Sequence, residues 1–191
     1  MKETMKKIIY NKDIFVIENF LSKEECKVLI EKSEQIGYEE AKVQTGANTQ
    51  SMLKSVRDND RILYKDEALA NQLYERALPL LSNEIGNYDR IGLNELFRFY
   101  KYSPGQRFKM HRDGSFKRNE REKSFFTFLI YLNEEFEGGA TEFEDLFTIQ
   151  PKTGDLLVFY HPYRHEGKKI ESGYKYALRS DIMYRMKEEL K

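Results

Sequence analysis

The segment that decides the fold class is Phe125-Phe126-Thr127-Phe128-Leu129-Ile130-Tyr131-Leu132. It is a nearly continuous run of aromatic and branched residues, and Asn133 ends it. Residues of these types are typical of β-strands, because their side chains pack well on a pleated surface. The run therefore predicts a strand.

Further strand patterns surround this run from residue 93 onwards. Residues 96–102 read Leu-Phe-Arg-Phe-Tyr-Lys-Tyr and end at the turn Ser103-Pro104-Gly105. Residues 141–149, 155–160 and 174–184 are rich in the same residue types. The second half of the chain is therefore predicted to be mostly β.

The first part of the chain contains two helical patterns. Residues 14–17 predict a short buried strand, and Ser22-Lys23-Glu24-Glu25 is a capping box that begins the first helix. A second helix is predicted from about residue 66 to residue 81. Two helices followed by many strands indicate a mainly β (α+β) protein, with helices packed outside an all-β barrel or sandwich. We expect one domain over residues 1–191, with a helical support over about 1–90 and a barrel core over about 91–187.

Composition limits the possible partners and the compartment. Lys+Arg and Asp+Glu both number 32, so no overall field favours nucleic acid or an anionic membrane. The single Cys26 indicates a reducing compartment. No apolar segment has the length of a signal peptide or a membrane span. We expect a cytoplasmic protein with no nucleic-acid or membrane partner, and the oligomeric state stays open.

A candidate metal site is formed by His111, Asp113 and His165. Side chains two residues apart on a strand point to the same face, so His111 and Asp113 should converge. Two imidazoles and a carboxylate are the ligand set of mononuclear Fe(II) sites, which leave positions open for co-substrate and oxygen. Lys175, ten residues after His165, is well placed to hold an acidic co-substrate. By itself, His-x-Asp is a common tripeptide and more often a surface turn than a metal site.

His161 is the competing third ligand, because the chain contains only three histidines. It directly follows a predicted strand and precedes Pro162. We expect it to cap that strand or to face solvent, and we therefore prefer His165.

The sequence resembles the prolyl-4-hydroxylase-like branch of the Fe(II)/2-oxoglutarate dioxygenases over most of its length. The matching segments, besides the candidate metal ligands, are residues 15–21 with Glu24-Glu25-Cys26, Arg98-Phe99-Tyr100-Lys101-Tyr102, Tyr131-Leu132-Asn133, Glu137-Gly138-Gly139, Thr141-x-Phe143, Pro151-x-x-Gly154-Asp155 and His165-Glu166-Gly167. Each segment is unspecific alone, and their combination is highly specific.

This resemblance implies a double-stranded β-helix (jelly-roll) fold and a hydroxylase activity. The implied co-substrates are 2-oxoglutarate and O2, the metal is Fe(II), the co-products are succinate and CO2, and ascorbate is an optional reductant. Lys175 would bind the distal carboxylate of 2-oxoglutarate. Tyr102, Thr127 and Tyr131 match further co-substrate positions, although ordinary barrel packing would explain them as well.

Strand parity suggests residues on the substrate side. If Tyr102 faces inward, Arg98 and Tyr100 do so too, and Arg179 shares the face of Lys175. An inward arginine must be paired, so Arg98 could contact substrate or a carboxylate such as Glu142. Alternatively, Arg179 belongs to an internal ion-pair network with Asp181. The expected substrate is an amino acid, a prolyl peptide or a small metabolite.

Two questions stay open from the sequence. The charged segment 115–124 follows two of the expected ligands and could be a mobile lid or a solvated hairpin. A non-catalytic barrel that senses iron or 2-oxoglutarate is the rival function. The retained Asp113 and Lys175 favour an oxygen-inserting enzyme.

Overall fold

A computed structural model describes residues 4–38 and 58–188. Within these ranges the chain forms two α-helices, a short 3-10 helix at Leu78–Leu80, and fifteen strands. The elements are β1 (Lys6–Asn11), β2 (Ile14–Glu18), α1 (Lys23–Ile36), β3 (Asp60–Lys65), α2 (Glu67–Ala77), β4 (Glu84–Ile85), β5 (Tyr88–Leu93), β6 (Leu96–Tyr102), β7 (Phe108–His111), β8 (Glu122–Tyr131), β9 (Phe136–Gly138), β10 (Thr141–Phe143), β11 (Phe147–Ile149), β12 (Leu156–Tyr160), β13 (His165–Gly167), β14 (Ile170–Gly173) and β15 (Lys175–Met186).

The strands form a large and a small antiparallel sheet that face each other. The large sheet has nine strands, and its main order is β1-β2-β12-β8-β15-β5-β4. The first half of β15 also pairs with β6, which in turn pairs with β3. The small sheet has the order β11-β10-β13-β7, and β14 pairs separately with β9. This is the mainly β jelly-roll arrangement that the sequence predicted.

Period-2 alternation divides the large sheet into two faces with different tasks. On β8, Phe126, Phe128 and Ile130 belong to the larger apolar core together with buried residues of α1 and α2. The intervening Thr127 and Leu129 line the cavity between the sheets. The same alternation recurs on β6, β12 and β15. One face therefore anchors the helices while the other carries the functional side chains.

The helices begin where the sequence places them. The capping box of α1 is complete: Ser22 Oγ accepts the Glu25 N–H at 3.2 Å, and the Glu25 carboxylate accepts the Ser22 N–H at 2.8 Å. Asp66 caps α2 by accepting the Leu69 N–H. Arg76 of α2 also donates two hydrogen bonds to the Glu25 carboxylate, which ties the two helices together. No helix among the described residues has the length and apolar character needed to cross a membrane.

Two local predictions were wrong. The region expected to be a helical support also supplies strands to the large sheet, because β2 pairs with β12, β3 with β6, and β5 with β15. Residues 141–149 form two strands, β10 and β11, and not one. The reversal between them places Asp145 at a φ of 56°, and Leu146 N–H donates to the Phe143 carbonyl.

Candidate metal centre

Two neighbouring strands of the small sheet, and the segment that follows the first of them, bring His111, Asp113 and His165 together. His111 ends β7 and is paired directly with His165, the first residue of β13. One ligand atom from each of the three residues lies within 4.8 Å of the other two. His111 Nε2 is 3.5 Å from Asp113 Oδ1, and His165 Nε2 is 3.9 Å from Asp113 Oδ2. The structure therefore assembles the predicted ligand set.

Strand parity explains only part of this convergence. Strand β7 ends at His111, so Asp113 lies in the irregular segment that follows and not on a strand. Arg112 is nevertheless turned elsewhere, because its Nε donates to the Pro162 carbonyl at 3.0 Å. The irregular segment after the strand, and not strand parity, positions the carboxylate.

Hydrogen bonds fix both imidazoles with Nε2 available as a ligand. His111 Nδ1 lies 2.7 Å from the Lys109 carbonyl, and His165 Nδ1 lies 3.1 Å from the Tyr163 carbonyl. A carbonyl oxygen can only accept, so each Nδ1 carries the hydrogen and each Nε2 presents a lone pair. His111 Nε2 is buried without a hydrogen-bond partner among the described residues. Burial lowers the pKa of His165 to about 4, which keeps its ring neutral. These features fit a metal ion.

The Asp113 carboxylate is held as an anion through its second oxygen. Thr127 Oγ1 donates to Oδ2, and Arg179 Nη2 lies 3.3 Å from the same atom. Burial alone would raise the pKa of Asp113, but the Arg179 charge and the His111 contact outweigh it and hold the pKa well below its usual range. Two neutral nitrogens and one carboxylate suit Fe(II) and leave coordination positions open.

The structure places His161 beneath this site and not in solvent. Its side chain is buried, with Nε2 3.0 Å from Ser124 Oγ and Nδ1 3.1 Å from Thr127 Oγ1. The expectation that it caps the strand or faces solvent was therefore wrong. Both ring nitrogens already have partners, which favours His165 over His161 as the ligand.

Lys175 is a buried cation in the same cavity. Its Nζ donates to the Gly139 carbonyl at 2.5 Å and lies 5.2 Å from the ring centre of Tyr131 and 5.6 Å from that of Tyr102. No carboxylate of the described residues forms an ion pair with it. Burial lowers its pKa to about 7. Since buried charges are normally paired, this ammonium group calls for an anionic ligand.

The residue whose carbonyl binds Lys175, Gly139, must be a glycine. It has a φ of +66°, and a Cβ there would lie 2.5 Å from Ile170 Cδ1 and 3.3 Å from Lys175 Cδ. The predicted Glu-Gly-Gly motif thus brings a backbone carbonyl against the ammonium group, at a position that a larger residue would crowd.

A cavity between the two sheets joins the metal ligands to Lys175. Tyr100, Tyr102 and Thr127 line it as predicted. Tyr131 does not line the cavity directly. Its hydroxyl is 2.7 Å from that of Thr141, which does line the cavity.

Sequence reasoning missed several lining residues, namely Phe108, Leu129, Thr141, Phe159, Gly167 and Ala177. Parity could have found two of them. Leu129 lies between Thr127 and Tyr131 at a spacing of two, and Ala177 lies between Lys175 and Arg179 in the same way.

The predicted inward arginines have different environments. Arg179 lines the cavity and bridges Asp113 and Asp181. Arg98 does not line it, contrary to expectation, because its Nη1 pairs with Asp181 Oδ2 at 3.0 Å. Glu142, the partner suggested for Arg98, instead pairs with Lys168. The internal ion-pair network is thus present, and only Arg179 also reaches the cavity.

Residues 115–124 form a hairpin that hydrogen bonds and ion pairs hold in place. Ser115 Oγ donates to the Ser124 carbonyl, and the Phe116 N–H donates to Ser124 Oγ. Arg118 forms ion pairs with Glu95 and Glu122. These contacts favour the hairpin interpretation over the lid.

Comparison with known proteins finds one family model that matches part of the chain and one related protein. The family model described as the 2OG-Fe(II) oxygenase superfamily matches residues 97–180, which run from β6 into β15. A putative prolyl 4-hydroxylase of Acanthamoeba polyphaga mimivirus is 26% identical, over 87% of this chain and 72% of that protein. The superfamily uses Fe(II), 2-oxoglutarate and O2, as the sequence predicted.

Solved structures share the fold at low sequence identity. A viral collagen prolyl hydroxylase from Paramecium bursaria Chlorella virus-1, in complex with 2OG, superposes with a TM-score of 0.65 at 20% identity, covering 92% of this chain and 98% of its own. A Pseudomonas putida prolyl-4-hydroxylase gives 0.61 at 17% identity, covering 93% and 94%. A prolyl hydroxylase from Trichoplax adhaerens, bound to a hypoxia inducible factor peptide, gives 0.65 at 20% identity, covering 90% and 84%. The predicted jelly-roll fold is confirmed.

Proposed function

We propose that this protein, a 2-oxoglutarate-dependent hydroxylase with a 2OG-Fe(II) oxygenase domain, acts on a prolyl residue within a peptide chain. The observation that carries the assignment of the site is Lys175. A buried ammonium group without a carboxylate partner among the described residues shares one cavity with three metal-ligating side chains. A dianion that reaches from the metal to this lysine satisfies both ends at once.

The roles of the metal-binding residues follow from their geometry. His111 Nε2, His165 Nε2 and the Asp113 carboxylate would hold Fe(II). Bound there, Fe(II) supplies O2 activation coupled to decarboxylation of 2-oxoglutarate. The overall reaction consumes a substrate C–H bond, 2-oxoglutarate and O2, and yields a C–OH group, succinate and CO2. Each histidine must stay neutral for this role, and burial keeps His165 so by lowering its pKa to about 4. The bond from Nδ1–H to the Tyr163 carbonyl fixes the tautomer that presents Nε2.

The co-substrate end of the cavity is formed around Lys175. Its ammonium group binds the distal carboxylate, and the Tyr102 and Tyr131 rings beside it shield that ion pair from water. Tyr131 acts through Thr141, whose hydroxyl it contacts. Thr127 has a different task from the one the resemblance implied: its hydroxyl is committed to Asp113, so it orients the metal ligand.

The substrate end is assigned to Tyr100 and Arg179. Both line the cavity, and Arg179 Nε is buried without a hydrogen-bond partner in the described part of the chain. A free N–H donor suits the carbonyl oxygens of a peptide better than an apolar metabolite. The related proteins named as prolyl hydroxylases support proline as the target residue.

A substrate assay tests this proposal directly. Proline-containing peptides should stimulate succinate formation and gain one oxygen atom by mass spectrometry. The same peptides with alanine for proline, and free proline, serve as matched controls. Hydroxylation of free proline but of no peptide would overturn the peptide assignment. Metal and 2-oxoglutarate binding without any turnover would favour the sensor.

Two arginines that face each other provide a matched test of the substrate end. Arg179 and Arg98 are paired across β15 and β6, and both bind Asp181, but only Arg179 lines the cavity. We expect Arg179→Lys, which keeps the charge beside Asp113, to lower the ratio of hydroxylated peptide to succinate severalfold. Arg98→Lys should leave that ratio unchanged. Equal ratios in the two variants would rule out a substrate contact by Arg179.

We also place the protein in the cytoplasm. Its one cysteine has no second cysteine with which to form an internal disulfide, which is typical of proteins in a reducing compartment.

A further inference from the structure

We infer that His161 is a positioning residue that orients the metal ligand Asp113 through the Thr127 hydroxyl. The inference rests on the proposed metal role of Asp113. A continuous series of hydrogen bonds runs from the Phe116 N–H to Ser124 Oγ, to His161 Nε2, from His161 Nδ1 to Thr127 Oγ1, and on to Asp113 Oδ2. Nothing in the proposed metal or co-substrate chemistry otherwise needs His161.

Only one arrangement of protons satisfies every member of this series. As a metal ligand that also faces Arg179, the Asp113 carboxylate can only accept, so the Thr127 hydroxyl must donate its single proton to Oδ2. Thr127 Oγ1 therefore accepts from His161, which places the hydrogen on Nδ1. His161 Nε2 is then an acceptor for the Ser124 hydroxyl, whose oxygen accepts the Phe116 N–H.

Burial makes this arrangement rigid. Ser124, Thr127 and His161 are 0%, 1% and 4% exposed, so water does not compete for these bonds. The His161 backbone N–H also donates to the Phe125 carbonyl at 2.9 Å, which ties the residue to β8 beside Thr127. The ring is thus held from both its backbone and its side chain.

The consequence is a carboxylate that is oriented in advance. Thr127 and Arg179 both bind Oδ2, whereas Oδ1 faces His111 Nε2. Because His161 Nδ1 carries a hydrogen, it cannot accept the proton of the Thr127 hydroxyl. That proton therefore stays directed at Asp113. Loss of such an outer partner typically lowers metal affinity about ten- to a hundredfold.

Two polar substitutions of His161 distinguish the role of Nδ1 from that of Nε2. Asparagine places an N–H donor close to the Nδ1 position, whereas glutamine reaches the Nε2 position and contacts Ser124. The probe is Co(II), with affinity measured by calorimetry and ligand geometry by visible absorption. We expect His161→Gln to raise the Co(II) Kd about tenfold or more and to change the spectrum, and His161→Asn to stay within about threefold of the unmodified protein. Equal losses in both variants would overturn the inference.

A double-mutant cycle with Thr127→Val distinguishes positioning from general destabilisation. If His161 acts through the hydroxyl, His161→Gln should have no further effect on Co(II) affinity once that hydroxyl is gone. A full additional loss in the double variant would refute the route through Thr127. Thermal unfolding of each variant shows that the measured proteins are folded.

Asp113→Ala separates this inference from the proposed function. Unchanged Co(II) binding in that variant would reject the metal assignment itself. Weakened binding in Asp113→Ala, together with normal binding in His161→Gln, would reject only the role of His161.

Discussion

Asp113→Ala, His111→Ala and His165→Ala are each expected to reduce Fe(II)-dependent turnover of 2-oxoglutarate to background. Each variant removes one of the three candidate ligands, and the Asp113 change also removes one of the two carboxylates that the buried Arg179 bridges. Arg179 is then left with Asp181, which it shares with Arg98, so this variant should lose stability as well. The measurement is succinate formation under air after anaerobic loading with Fe(II) and 2-oxoglutarate.

Glu144→Ala is the matched control for these ligand variants. Glu144 lies just after β10, close in the fold to β13, but its carboxylate pairs with Arg164 at a partly exposed position. Its removal should leave turnover unchanged. Retention of turnover in any of the three ligand variants, at saturating Fe(II), would contradict the assigned ligand set.

Lys175→Ala should weaken 2-oxoglutarate binding about ten- to over a hundredfold. A hydrogen bond between charged groups contributes roughly 1.5–3 kcal/mol, and the alanine variant would leave the distal carboxylate in an apolar pocket. The effect should fall on the KM and Kd for 2-oxoglutarate, with the affinity for the metal unchanged. Binding is measured by calorimetry with Mn(II) in place of Fe(II).

Lys101→Ala is the control for Lys175. Lys101 lies on β6 beside the start of β15 but points to the opposite face, where it pairs with Glu34. We expect normal 2-oxoglutarate affinity in this variant. Equal affinity in Lys175→Ala and Lys101→Ala would show that another group holds the co-substrate.

The pH dependence of binding gives a second check on Lys175. Burial lowers its pKa to about 7 in the free protein, whereas a bound carboxylate favours the charged form. Below pH 7 the lysine is already protonated, so affinity should be constant. As the pH rises above 7, binding must take up a proton, and the Kd should increase about tenfold per pH unit. Lys175→Arg should abolish this dependence, because a guanidinium group stays charged.

The face on which each side chain lies could be predicted from the sequence. Strands alternate with a period of two, so the position of Tyr102 settles that of Tyr100, and Lys175 settles that of Arg179. Local patterns likewise identified both helix starts: a capping box for α1 and the periodicity of apolar residues for α2. The candidate histidine ligands could be limited to three positions, because the chain has only three histidines.

Only the tertiary structure decided how these side chains are partnered. Arg98 and Asp181 are 83 residues apart, and His161 and Thr127 are 34 apart, so their contacts depend on strand register and on distances of a few tenths of an ångström. Asp113 reaches the candidate metal site from an irregular segment that no periodicity describes. The sequence thus determined the face of the sheet on which these residues lie, because alternation is a local property of the backbone. Ion-pair and hydrogen-bond choices required the fold, because they depend on which distant groups come within bonding distance and in which direction each can donate.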